Sequence, residues 1–162
     1  MPPDAIATEE AFARFLHALD KQGLRPALAL LLGPTDYRFI AIFRFEDGKA
    51  NAAVFYDRDN PAVLRVDEVP ASATYCCFAR DARGAFITAD ALQDPRLVNH
   101  VAREAVRAYC GVPLMTAEGE ILGTLCHYDL VPRDPEQVDV ALILQVASAL
   151  VQRELVPPYP QR

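Results

Sequence analysis

Two strand-length apolar runs, residues 105–115 and 120–128, flank the polar turn Thr116-Ala117-Glu118-Gly119, and no other feature constrains this chain as much. A short polar segment with a glycine between runs rich in β-formers predicts an antiparallel hairpin. Side chains alternate along a strand, so Ile121, Gly123 and Leu125 share one face while Leu122, Thr124, Cys126 and Tyr128 share the other. The register across the turn decides whether Tyr109 or Cys110 joins the second set, and the sequence leaves that open. A lone hairpin is at best marginally stable in water, so the remaining chain has to supply further strands and covering helices.

Those partners can be read in order. Thr8 stands where it would cap a helix whose Phe12, Phe15, Leu16 and Leu19 recur at three- and four-residue spacing. Gly23 ends or bends it, and a second helical piece with Pro26 in its first turn runs to Gly33-Pro34. Over residues 37–45 the period becomes two. Tyr37, Phe39, Ala41, Phe43 and Phe45 lie on one side, and apolar Ile40 and Ile42 on the other, so both faces are expected to be covered. Asp47-Gly48 predicts a tight turn into a strand over 50–56. Residues 63–66 read as a short strand, 70–79 as a short helix carrying Tyr75, Cys76, Cys77 and Phe78, and 86–88 as a brief strand. Asp90 and Asp94 shape a turn, and 95–103 is partly helical.

The C-terminal helix is the clearest element in the pattern. Asp134, Pro135 and Gln137 have the spacing of a cap, a first-turn proline and a capping-box partner. Val138, Leu142, Val146 and Leu150 form one stripe, which Val140, Ile143, Leu144, Ala147 and Val151 widen around much of the circumference. A helix so apolar is expected to bury more than one side, and a second subunit is the natural occupant of the side that a sheet does not use.

Length and charge exclude several classes. With 162 residues, 52% of them hydrophobic, the chain suits one domain, spanning 1–162 with its core at about 8–154. A net charge of −6 argues against nucleic-acid binding, which needs a basic surface. The start Met1-Pro2-Pro3-Asp4 has no basic region leading into an apolar core, as an export signal would. The most apolar stretch, residues 26–32, is far shorter than the roughly 20 residues that span a bilayer. Cys76, Cys77, Cys110 and Cys126 are therefore read as reduced thiols, and the protein as cytoplasmic. No Gly-x-Ser-x-Gly elbow, phosphate loop or His-Glu-x-x-His helix is found, so no catalytic residue is assigned. His17, His100 and His127 lack zinc spacing, and no metal ligand is assigned either.

The order Gly111-Val112-Pro113-Leu114, Glu118-Gly119, Leu122-Gly123-Thr124-Leu125-Cys126 resembles the end of a GAF domain. Tyr75-Cys76-Cys77-Phe78, the run Gly84 to Ala91, Asp94-Pro95-Arg96-Leu97 and Val131-Pro132-Arg133 extend the similarity over roughly residues 8–154. The resemblance implies an α+β fold of the GAF-like, PAS-related kind. In it an antiparallel β-sheet carries the N- and C-terminal helices on one face and a ligand pocket on the other. It also implies a small-molecule-binding or sensing regulatory module, here without a fused output domain, whose cofactor or ligand is unknown. The chain lacks the Asn-Lys-x-Phe-Asp run of cyclic-nucleotide-binding members. His100 follows Asn99 rather than the cysteine of bilin-binding members. Cys77, Cys110 and Cys126 are spaced more widely than the cysteines of the free-methionine-sulfoxide reductases.

The expected ligand-binding residues are Phe43, Tyr75, Cys76, Asp90, Tyr109, Cys126 and Tyr128. The partners expected are an unidentified small molecule, a second copy bound through the terminal helices and a protein that receives the signal. Two alternatives stand beside this reading. One is a small thiol enzyme or redox sensor using Cys126, Cys110 or one of Cys76 and Cys77. The other is a non-binding dimeric interaction domain.

Overall fold

Asp47 and Gly48 take positive φ values of 52° and 76°, the backbone that a two-residue hairpin turn needs to follow strand twist. They join β1 (Phe39–Glu46) to β2 (Lys49–Asp57). The hairpin with which the sequence reading began forms as β5 (Ala108–Met115) and β6 (Ile121–Asp129), with Tyr109 opposite Tyr128 and Gly111 opposite Cys126. On its other edge β6 pairs with β1, so that Ala41 faces Cys126 and Phe43 faces Thr124. At Gly123 the two strands approach so closely that any Cβ would strike the Phe43 carbonyl. Adding β3 (Val69–Pro70) and β4 (Phe86–Thr88) gives an antiparallel six-stranded sheet in the order β3-β2-β1-β6-β5-β4. The computed structural model describes residues 5–161; the start Met1-Pro2-Pro3-Asp4, read above for export signals, lies outside them.

The sheet is apolar on both faces, and different elements cover each. On one face α1 (Ala5–Gln22), α2 (Leu24–Leu32) and α4 (Val140–Gln152) bury Phe15, Leu28, Leu32, Ile143, Val146 and Leu150 against Ile40, Ile42, Val112 and Leu125. On the other, the short helix α3 (Cys76–Ala82) and the irregular chain around Leu97 cover Phe39, Ala41, Phe43, Phe55, Tyr109 and Cys126. A register shift between Ile42 and Phe43 inserts one extra residue in β2. Ala50 and Ala52 face the α3 side, Ala53 and Val54 the helical side, and Phe55 the α3 side again. The bulge thus returns Phe55 to the same layer as Phe39, their rings 5.7 Å apart. This α+β architecture has the terminal helices and the irregular layer on opposite faces, as expected.

Four local expectations are corrected. Thr8 is not a cap: α1 already runs from Ala5, and the Thr8 hydroxyl donates to Asp139 Oδ2 at 2.6 Å. Asp134 does cap, but it caps a separate 3₁₀ turn, Pro135–Gln137, while Asp139 caps α4 through the Leu142 N–H. Residues 63–66 are not a strand, and the edge strand is Val69–Pro70, paired with Lys49 and Ala50. The helix expected over 70–79 divides into a 3₁₀ turn, Ala71–Ala73, and α3, separated by the extended Thr74.

Candidate functional site

The β5–β6 register decides which side chains of the hairpin can work together. Because Tyr109 lies opposite Tyr128, it joins Cys126 and Tyr128 on the α3 side. Cys110 faces the terminal helices instead, where burial pushes its thiol up to about 12. His127 lies on that same helical face, edge-on to Tyr37 at 5.9 Å, and desolvation brings it down to about 4. Neither residue reaches the opposite layer.

On the α3 side the sheet meets the first turn of the helix. Cys76 points at the sheet and is 2% exposed. Cys77, one residue on and rotated by about 100°, is half-buried and its thiol donates to the Thr74 carbonyl at 3.0 Å. The Tyr109 hydroxyl donates to Cys76 Sγ at 3.3 Å. It reaches there by lying across Gly111, where a Cβ would collide with the hydroxyl. Cys126 and Thr124 complete this fully buried group, and Thr124 Oγ1 has no partner in hydrogen-bond geometry among the described residues. Burial works against ionisation of Cys76, but the polar groups closing around it, Cys126, Thr124 and the bonded Tyr109 hydroxyl, outweigh burial and bring it down to about 7. Burial raises Cys126 and Tyr109.

Above this floor lies a cavity of about 210 Å³. Phe43, Tyr75, Cys76, Tyr109 and Tyr128 line it, so the structure brings together five of the seven residues expected from sequence. Cys126 lies beneath them in the same apolar layer. Asp90 is elsewhere: it accepts the Leu92 N–H and holds Arg107 through two bonds of 2.8 and 3.0 Å, which lower its carboxyl. The Tyr75 hydroxyl is spent on the Val106 carbonyl at 2.8 Å. The Tyr128 ring stacks on Phe39 at 4.7 Å, and its hydroxyl has no hydrogen-bond partner among the described residues. Val66, Asp67, Val69, Ala73, Thr74, Ala102 and Val106 also line the cavity and were not foreseen. They come from irregular segments, a 3₁₀ turn and the two-residue strand β3, all too short for periodicity to mark a side chain as inward-facing.

This arrangement can enclose a small, largely apolar molecule and offer it ring faces and one free hydroxyl. Among the described residues, no group of three or more His, Cys, Asp or Glu side chains could hold a metal ion. No helix among them is long and apolar enough to cross a membrane. A shallower groove of about 630 Å³ runs between the start of α1 and the start of α4, lined by Ala5, Thr8, Glu9, Val138 and Val140 among others. It lies on the helical side and shares no residue with the aromatic cavity.

The chain belongs to the GAF domain family, whose profile matches residues 21–155. It is 36% identical over 94 residues to the cyclic di-GMP phosphodiesterase PA2567 of Pseudomonas aeruginosa, a match over 56% of this chain and 16% of that protein. The match thus spans less than a fifth of that relative's length. Among solved structures it is similar to the GAF domain of an Acinetobacter phosphoenolpyruvate-protein phosphotransferase, with a TM-score of 0.71 and 11% identity over 90% of this chain and 91% of that one. It is also similar to the free methionine-R-sulfoxide reductase of Neisseria meningitidis, with a TM-score of 0.69 and 17% identity over 94% and 92% of the two chains. At such identities the structural likeness is one of fold.

Proposed function

We propose that this GAF domain is a small-molecule sensing module of a signalling system, and that its ligand occupies the cavity between α3 and the sheet. The observation that carries the reading is the cavity itself. It is bounded by four aromatic side chains, and one tyrosine hydroxyl, that of Tyr128, has no protein partner. Tyr128 is half-buried, and its hydroxyl can bond a ligand oxygen or nitrogen without breaking a bond within the protein. The similarity to a cyclic di-GMP phosphodiesterase supports a signalling context. The cysteines, all free, suit a reducing cytoplasm. Ligand occupancy would be passed through the sheet to α1 and α4, and from them to a second copy or a partner protein.

Native mass spectrometry of the purified protein tests the binding reading. The expected result is an added mass that disappears on denaturation and is absent from Ala102→Phe, which fills the cavity from a half-buried turn residue that lines it. Protein that arrives without added mass, and that shows no Ala102-dependent thermal shift with any member of a fragment library, would overturn it.

A further inference from the structure

The chemistry of the cavity wall restricts what it can hold. Among its lining residues there is no lysine, arginine or histidine, and the one charged side chain is Asp67, at the mouth. Asp67 is exposed and takes part in no ion pair or hydrogen bond found among the described residues. Of the nearby cations, Lys49 pairs with Glu68 at 3.6 Å and Arg103 bonds the Val98 and Leu92 carbonyls, while Arg65, exposed two residues from Asp67, lines the adjoining groove with it. Inside, the hydroxyls of Tyr75 and Tyr109 are held by Val106 and Cys76, which leaves their rings as the surface offered. Tyr75 and Tyr109 stand edge to face at 5.7 Å, and Phe43 and Tyr128 lie tilted at 6.2 Å, so neighbouring rings present differently oriented faces.

Ring faces carry negative potential and attract a cation within about 6 Å. An unpaired carboxylate at the entrance adds attraction of the same sign. A phosphate or carboxylate ligand would find the reverse: no basic side chain in the wall and a carboxylate to pass. We propose that the cavity takes a small organic cation, of the ammonium or quaternary ammonium class, with its charged head among Phe43, Tyr75, Tyr109 and Tyr128 and its approach favoured by Asp67. The proposal rests on the cavity being the ligand site.

The test compares two molecules of nearly equal shape, choline and its uncharged carbon isostere 3,3-dimethylbutan-1-ol. Binding is followed by calorimetry and by the tyrosine ring resonances of the wild-type protein, Asp67→Asn and Ala102→Phe. Choline is expected to bind at least about tenfold more tightly than the alcohol. Asp67→Asn should weaken choline about threefold while leaving the alcohol unchanged, and Ala102→Phe should abolish both. Asp67 is exposed at the mouth, so its replacement leaves the core intact. If the alcohol binds as well as choline, and Ala102→Phe abolishes it, the cavity is a ligand site and the cation proposal is overturned. If neither molecule binds, the cation proposal is overturned as well, and the sensing reading is then decided by the native mass measurement.

Discussion

Single residues in this protein behave according to which face of the sheet they occupy. Cys126 and His127 are adjacent in β6 and both at most 1% exposed, yet they belong to opposite layers. The alternation that separates them was legible in the sequence, as was the inward position of Thr124, Cys126 and Tyr128. The side taken by Tyr109 was not, because a pairing register is fixed by tertiary contacts. His127 provides a prediction at this scale. Desolvation brings it from 6.5 to about 4, because the charged imidazolium would lie among Leu31, Tyr37 and the helices. The unfolded chain therefore binds a proton between those values while the folded chain does not. Stability from this group is fully present above pH 6.5 and is lost as the pH falls towards 4, by about 3 kcal/mol at one pKa unit per 1.36 kcal/mol. The carboxyls of Asp57, Asp90 and Asp94 are held down by Arg38, Arg107 and Arg96. Their contribution is likewise present above their unfolded value near 3.8 and lost below it, so it falls in a lower window. Urea denaturation at pH 7.0, 5.5 and 4.5 should show the loss, and His127→Gln should flatten it. An equally steep loss in that variant would place the proton elsewhere.

Elements were legible where a local signal and a partner strand agree, and illegible where an apolar triplet has no partner. Asp47-Gly48 and the alternating residues after it gave β1 and β2 nearly to the residue. Val63, Leu64 and Val66 look like a strand in the sequence, but the edge beside β2 is taken by Val69 and Pro70. Two aspartates, Asp134 and Asp139, each stand at a position able to cap a helix start, and only the folded chain shows that Asp134 caps a 3₁₀ turn while Asp139 accepts the Leu142 N–H at the start of α4. The two tight glycines separate what the hairpin needs for pairing from what it contributes to the cavity. At Gly123 the obstacle to a Cβ is backbone, the Phe43 carbonyl, and the β1–β6 ladder would have to move. At Gly111 the obstacle is the far end of the Tyr109 side chain. Gly123→Ala is therefore expected to cost about 3 kcal/mol and Gly111→Ala about 1 kcal/mol, by the general cost of overpacking and of one lost hydrogen bond. Denaturant midpoints of the two variants check the order. Gly111→Ala should also remove the Tyr109–Cys76 bond and raise the Cys76 thiol, read as slower alkylation of Cys76 at pH 8. Equal stability losses would mean that Tyr109 cannot give way.

Taken as a whole, the molecule puts its aromatic cavity and its terminal helices on opposite faces of one sheet, so under the proposed function a signal would leave through the helical side. The sequence showed an apolar surplus on α4 and predicted a second subunit for it. The folded chain absorbs much of that surplus itself: Leu142, Ile143, Val146, Ala147, Ala149 and Leu150 are all buried against α1, α2 and the sheet. What remains is smaller, chiefly Leu144 at 44% exposure, and on α1 Ile6 at 68%, each next in sequence to a residue that lines the groove between the helix starts, Gln145 and Ala5. We propose that two copies meet across these residues, which is where a change in the sheet would first be felt by a partner. Sedimentation velocity at micromolar concentration should then give twice the 17.9 kDa chain mass. Leu144→Glu should return the protein to a folded monomer with unchanged far-UV circular dichroism, because this side chain is 44% exposed in the single chain. A wild-type mass of one chain would overturn the dimer. A dimer insensitive to Leu144→Glu would move its interface away from α4. Residues 21–155 carry the GAF match while Ile6 precedes it, so half of the proposed contact lies outside the part of the chain that the family pattern describes. This explains why an interface could be inferred from the helical surplus but not located by resemblance.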